Sequence, residues 1–146
     1  MILHRFMSES EYKKLVAGET LENHTRHDAH TSSIGFCFTP SPPEESIHWL
    51  SGNVDTDVCV TMAVPDTMVT PCEARYRDIR KPMPGTLSAE GMATVTRKEF
   101  CCERYSIRDV RVLGVTTAFS HIPGRRETDA LLRMMGYERK QDNTRL

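Results

Sequence analysis

The stretch Arg97-Lys98-Glu99-Phe100-Cys101-Cys102, a short polar turn, and Val110-Arg111-Val112-Leu113-Gly114-Val115 decides the fold class. Both runs read as strands, and nothing between them is long enough to be a crossover helix. Upstream, Asp57–Val64 is the strongest strand in the chain and is apolar on both faces at its centre. Residues 2–6 and Ser32–Thr39 read as earlier strands. Helices separate the early strands and not the late ones. That order predicts an α+β domain, with small mixed or antiparallel sheets and N-terminal helices packed on them, rather than a doubly wound sheet.

The helix starts are punctuated. Ser8-Glu9-Ser10-Glu11 is a capping box, in which Ser8 takes an amide at Glu11 and Glu11 reaches back. Met7 and Tyr12 occupy the staple positions on either side. Tyr12, Leu15 and Val16 form the inward face, and Gly18 stops the helix. Ser41-Pro42-Pro43-Glu44 reads as a second capping box with proline at the first helical position. It opens a helix to about Leu50, with Ile47 and Leu50 inward. Residues 19–31, with His24, His27 and His30, have no periodicity and read as a loop. Residues 65–96 also read as irregular, with Pro65, Pro71, Pro82 and Pro84 among them. Thr128–Met135 reads as a last helix, which makes 1–136 a single domain and 137–146 a frayed tail.

Composition bounds the function. The chain has 146 residues, of which 38% are hydrophobic and 27% charged, as expected of one globular domain. The formal charge is -1, from 19 basic and 20 acidic residues, so no global field draws it to nucleic acid or an acidic membrane. The local clusters Arg75, Arg77, Arg80, Lys81 and Arg125, Arg126 read as solvated loops. Five cysteines, an odd number with two adjacent, make a poor disulfide framework and point to a reduced, cytoplasmic protein. The N-terminus is too short and polar for a signal peptide, and no run is long and apolar enough to span a membrane. No CxxC is present, and the His24-x-x-His27-x-x-His30 series lacks a completing ligand, so no metal is expected.

Three segments, taken in order, resemble the NAD-dependent ADP-ribosyltransferases. Leu3-His4-Arg5 resembles the first-strand segment in which an arginine or histidine follows an aromatic position. Thr31-Ser32-Ser33-Ile34-Gly35-Phe36-Cys37-Phe38-Thr39 resembles the second-strand region, and Pro43–Leu50 takes the place of the helix behind the nicotinamide pocket. Arg97–Cys102 resembles the late strand that carries the catalytic glutamate. The resemblance runs through residues 2–115.

The resemblance implies NAD as substrate and a macromolecular acceptor, protein or nucleic acid, of unidentified kind. Glu99 would stabilise the oxocarbenium-like ribose that forms when the glycosidic bond breaks, and would bind the 2′-hydroxyl. Its plain reading is a solvated strand-edge glutamate. Arg5 would clamp the diphosphate or ribose with its planar fork, or else make a cross-strand salt bridge. Ser32 or Ser33 would position the nicotinamide ribose or Arg5, unless they are turn residues only. Gly35 would allow close backbone approach or mark a bulge. Phe36, Phe38 and Trp49 would pack round the nicotinamide ring, although strand alternation sets Phe36 and Phe38 on one face, as in a core. His27 would line the cleft. Arginine-modifying members carry an acidic residue or glutamine two positions before the catalytic glutamate; Arg97 stands there, which argues against arginine as acceptor.

Two other functions compete. One is a non-enzymatic binding or inhibitor protein of phage or mobile-element type on the same fold. The other is a phosphotransferase on RNA ends, which would need basic residues such as Arg75, Arg77 and Arg80 around a phosphate.

Overall fold

The computed structural model describes residues 1–28, 30–82 and 92–117, with the side chains of 78–82, 92 and 93 left aside. Within them the chain runs β1 (Ile2–Met7), α1 (Glu9–Val16), β2 (Leu21–Glu22), β3 (Phe36–Phe38), α2 (Pro43–Leu50) and β4 (Val58–Ala63). It continues with β5 (Thr70–Pro82), β6 (Met92–Cys102), β7 (Arg104–Tyr105) and β8 (Arg111–Thr116). The strands form antiparallel sheets ordered β1-β4-β8, β3-β6-β5 and the small pair β2-β7. The fold is α+β with antiparallel sheets, and the described residues hold two α-helices. Among those residues no helix is long and apolar enough to cross a membrane. The helix expected at Thr128–Met135 and the tail at 137–146 lie outside the described residues.

The two three-stranded sheets meet at one antiparallel bridge, between His4 of β1 and Thr39 just past β3. Each residue's amide donates to the other's carbonyl, at 2.8 Å in both directions. Alternation along the strands then feeds two cores. Leu3 and Met7 of β1, Val58, Val60 and Met62 of β4, and Phe36 and Phe38 of β3 pack with Leu15 of α1 and with Tyr105. Phe6 of β1, Cys59 of β4, and Ala74 and Tyr76 of β5 pack with Ile47, Trp49 and Leu50 of α2. A strand buried on both faces must be apolar at consecutive positions, which is how β4 reads in the sequence.

Ser8 caps α1 as expected, its hydroxyl accepting the Glu11 amide at 3.1 Å. Glu11 does not reach back to close the box; its carboxylate is taken by Arg5. Val16, expected inward, is half exposed, because α1 stops there and Gly18 turns the chain at φ +86°. The second capping box is also absent: Pro42 is the N-cap, with no side-chain cap. The Ser41 amide instead donates to the Thr39 hydroxyl.

The largest correction concerns residues 65–96. Thr70–Pro82 is a long strand paired with Met92–Cys102, so most of the irregular stretch is a β-ribbon. Cys72, Ala74 and Tyr76 alternate inward, while Glu73, Arg75 and Arg77 alternate outward. Read as a charge cluster, that period-2 pattern was hidden. Pro71 is compatible with it because β5 is an edge strand, where a missing N–H leaves no ladder bond broken.

Candidate functional site

Glu99 and Arg5 occupy opposite faces of the sheet layer. Arg5, on β1, shares its face with Leu3 and Met7. Its Nε and Nη2 donate to the two Glu11 oxygens at 2.7 Å each, and Nη1 donates to the Cys37 carbonyl at 3.0 Å. The guanidinium lies over the rings of Phe36 and Phe38, at 5.0 and 5.8 Å. Tyr105 packs edge-on against both rings and donates its hydroxyl to Glu11 at 3.4 Å. Burial alone pulls the Arg5 pKa down, but the Glu11 charge and hydrogen bonds outweigh it and the net direction is up. Arg5 is 3% exposed, so its fork is spent inside the protein, between β1, α1 and β3. The diphosphate-clamp role that the resemblance implies for Arg5 therefore has no free donor fork behind it.

Glu99 lies on the other face, as register shows. Cys101 stands opposite Cys37, and Glu99 opposite Cys72, so Cys37, Cys101, Glu99 and Cys72 point the same way. One residue past β3, the same register sets Thr39 beside Glu99. Thr39 is bridged to His4, and His4 pairs with Thr61. Thr61, His4, Thr39, Glu99 and Cys72 thus form one transverse row across five strands. At a strand spacing of ~4.8 Å, the His4 and Glu99 backbones are roughly 10 Å apart, with only Thr39 between.

The chemistry of this row is uneven. The His4 Nδ1 and the Thr61 hydroxyl share a 2.7 Å hydrogen bond. Burial lowers the His4 pKa, and the Glu44 charge at the start of α2 partly opposes it. Glu99 is 2% exposed and accepts a 2.6 Å hydrogen bond from the Tyr76 hydroxyl. Burial pushes the Glu99 carboxyl up to about 7, against the Tyr76 hydrogen bond and the Arg5 charge, which both lower it. Tyr76 is driven well above its ordinary value, by burial first and the neighbouring Glu99 second. Burial with one neutral hydroxyl donor is what raises this carboxyl, which makes Glu99 the candidate acid of the face.

The other expected residues are spread round this face. Ser32 is exposed, and its hydroxyl accepts the Glu73 amide at 2.9 Å. Ser33 is buried, with its hydroxyl 3.2 Å from that of Thr31. The chain between them and β3 crosses toward β6, where the Ile34 amide donates to the Cys101 thiol. Neither serine is bonded to Arg5 or Glu99. Gly35 does serve close approach, but to the protein's own backbone. It sits at φ +75°, and a Cβ there would lie 2.4 Å from the Cys102 carbonyl oxygen and 2.6 Å from that of Asn23. His27 is exposed and hydrogen-bonds through its ring to the Gly35 carbonyl, tying the histidine loop to the same turn. Phe36 is core, fully buried on the Arg5 face.

Trp49 belongs to the Glu99 face, 6% exposed, with the Arg97 guanidinium 4.2 Å above its ring. Its Nε1 is buried without a hydrogen-bond partner. His24 pairs with Glu103 at 3.0 Å, and among the described residues no cluster of histidines, cysteines or acids could hold a metal. Arg75, one of the basic residues a phosphate site would need, is bonded to Asp28 at 2.9 Å.

Sequence reading missed His4 and Tyr76. His4 was passed over for its neighbour Arg5, although strand alternation requires that only one of the two can share a face with Glu99. Tyr76 lay in the stretch read as irregular. Neither a protein-family model, nor a curated protein, nor a solved structure matches this chain.

Proposed function

We propose that the chain is an NAD-dependent ADP-ribosyltransferase, which moves ADP-ribose from NAD to a macromolecule, with Glu99 as its catalytic carboxylate. The observation that carries this reading is the poised state of Glu99: buried, hydrogen-bonded to Tyr76, and held at a pKa of about 7. In its ionised form Glu99 binds the ribose 2′-hydroxyl and stabilises positive charge at C1′ as the bond to nicotinamide breaks. Nicotinamide leaves with the bonding pair, and an acceptor nucleophile, or water, takes C1′ and gives up a proton. Thr39 and His4 supply hydroxyl and imidazole groups along the same row. Arg5 acts in this reading as a strut joining β1, α1 and β3. Arg97, stacked on Trp49 where arginine-modifying members have an acidic group or glutamine, disfavours arginine as acceptor.

The test is release of nicotinamide from NAD, with Glu99→Gln as the control variant. Activity should rise with pH through about 7, as Glu99 ionises, and should fall ~10²-fold or more in Glu99→Gln. Wild-type turnover in that variant refutes the assignment.

The second reading, a non-enzymatic binding or inhibitor protein, is favoured by one observation. Arg5 and Glu99 are 3% and 2% exposed, and both are engaged within the protein. It predicts no nicotinamide release and no rise in melting temperature with millimolar NAD.

A further inference from the structure

Arg97 and Glu99 are alternate residues of β6, so they share a face of the sheet, with backbones roughly 7 Å apart along the strand. Arg97 stands opposite Ala74, and Tyr76 stands opposite Val95. The Tyr76 hydroxyl bonds to Glu99, so its side chain runs along the strands past the Ala74–Arg97 pair. Trp49 of α2 packs in the same core as Ala74 and Tyr76. Glu99, Tyr76, Trp49 and Arg97 therefore form one continuous patch, buried at the carboxyl end and exposed at the arginine.

Two donors at the arginine end lack protein acceptors among the described residues. The Arg97 guanidinium lies 4.2 Å above the Trp49 ring and makes no hydrogen bond or ion pair there. Stacking occupies the face of a guanidinium and leaves its in-plane donors open. The second donor is Nε1 of that same ring, buried and unpartnered. A buried N–H without an acceptor costs free energy that an incoming acceptor recovers. Other arginines are engaged: Arg5 with Glu11, Arg75 with Asp28, Arg104 with Glu22. A guanidinium fixed in place with no protein acceptor suits the oxyanion of a ligand.

We propose that Arg97, held on Trp49, binds the diphosphate of the dinucleotide whose ribose lies at Glu99. The inference rests on the transferase reading and supplies the phosphate contact that Arg5, bonded to Glu11, does not make. The diphosphate hangs from the 5′ carbon of that ribose, a few ångströms from the 2′-hydroxyl, which matches the spacing of alternate residues on one strand. The planar fork takes two phosphate oxygens in parallel, and the indole N–H is placed for a further one. A cation at this position also repels a guanidinium acceptor.

Calorimetric titration of the full chain with inorganic pyrophosphate and with ADP-ribose, at constant ionic strength, measures the contact. Emission of Trp49, the single tryptophan of the chain, locates it. Both ligands should bind saturably and change that emission, and chloride at matched ionic strength should not. Arg97→Gln should weaken both at least ~10-fold, and Arg97→Lys, which keeps the charge without the fork, should weaken both by less. Trp49→Phe, which keeps the stack and removes the N–H, should weaken pyrophosphate several-fold. Glu99→Gln should weaken ADP-ribose alone. In turnover, Arg97→Gln should raise KM for NAD with kcat nearly unchanged, as for a contact made equally before and during bond breaking. Absence of pyrophosphate binding, or binding of equal strength in Arg97→Gln, overturns the proposal. Pyrophosphate binding through Arg97 in a protein that releases no nicotinamide refutes the transferase reading and not the phosphate site, so the two failures are distinct.

Discussion

Two buried carboxylates, Glu11 and Glu99, sit on opposite faces of one sheet layer and are treated oppositely by the protein. Glu11 receives both arms of the Arg5 fork, with Tyr105 behind. Glu99 receives the Tyr76 hydroxyl, and its carboxyl rises to about 7. A carboxylate matched by a guanidinium is an element of architecture. One buried against a neutral donor reduces stability at neutral pH. The contrast separates a carboxylate neutralised by a cation from one buried against a hydroxyl.

Removing one side of the Arg5–Glu11 pair is the harshest way to break the comparison. Arg5→Met leaves Glu11 buried without its cation and should lower unfolding free energy by ~3–5 kcal/mol, read from urea melts. If Arg5→Met instead left stability intact while abolishing NAD turnover, the strut assignment would fall and the clamp would return.

Glu99→Gln should have the opposite sign. An acid whose folded pKa is raised from 4.5 to about 7 binds its proton more tightly when folded. Its favourable contribution is complete below about 4.5, is lost as pH rises through about 7, and stays lost above. At 1.36 kcal/mol per unit, the loss is on the order of 3 kcal/mol. Glu99→Gln should therefore be more stable than wild type at pH ~8 by up to that amount, and should lack the slope between those pH values. A slope that survives in the variant would place the titrating group elsewhere.

Gly35→Ala tests the turn that sets β3 between the two sheets. The added Cβ meets two carbonyl oxygens at 2.4 and 2.6 Å, at a positive φ, so both clash and strain act. Destabilisation of ~1–3 kcal/mol is expected in thermal or urea melts. A neutral result would mean that the loop around Asn23 yields freely.

Tyr76→Phe is the subtlest of the four. It removes the hydrogen bond that lowers the Glu99 pKa, so the acid limb of both stability and turnover should move to higher pH, with about 1 kcal/mol lost. An unmoved limb would mean that Tyr76 does not hold the carboxyl.

The legible parts of the fold were local. Ser8 before Glu11, Pro43 at a first turn and the doubly apolar run at Asp57–Val64 each carry their conformation in adjacent residues, and α1, α2 and β4 follow from them. The β5 ribbon was not legible, because its alternation is written in small, polar and charged residues around Pro71 rather than in large apolar ones. The site was half legible. Glu99 was singled out by the resemblance of Arg97–Cys102, but its burial was not, since a solvated strand edge reads the same way. Its partners depend on which residues share a face across strands far apart in sequence.

By itself, then, the sequence determined the α+β class and most element positions, since these rest on short-range periodicity and capping. Only the tertiary structure decided that Arg5 belongs with Glu11 and that Tyr76, Thr39 and His4 belong with Glu99. The physical reason is register. One residue's shift along a strand reverses the face, and the pairing of β1 with β3 through His4 and Thr39 is fixed by long-range hydrogen bonds rather than by anything in the local chain.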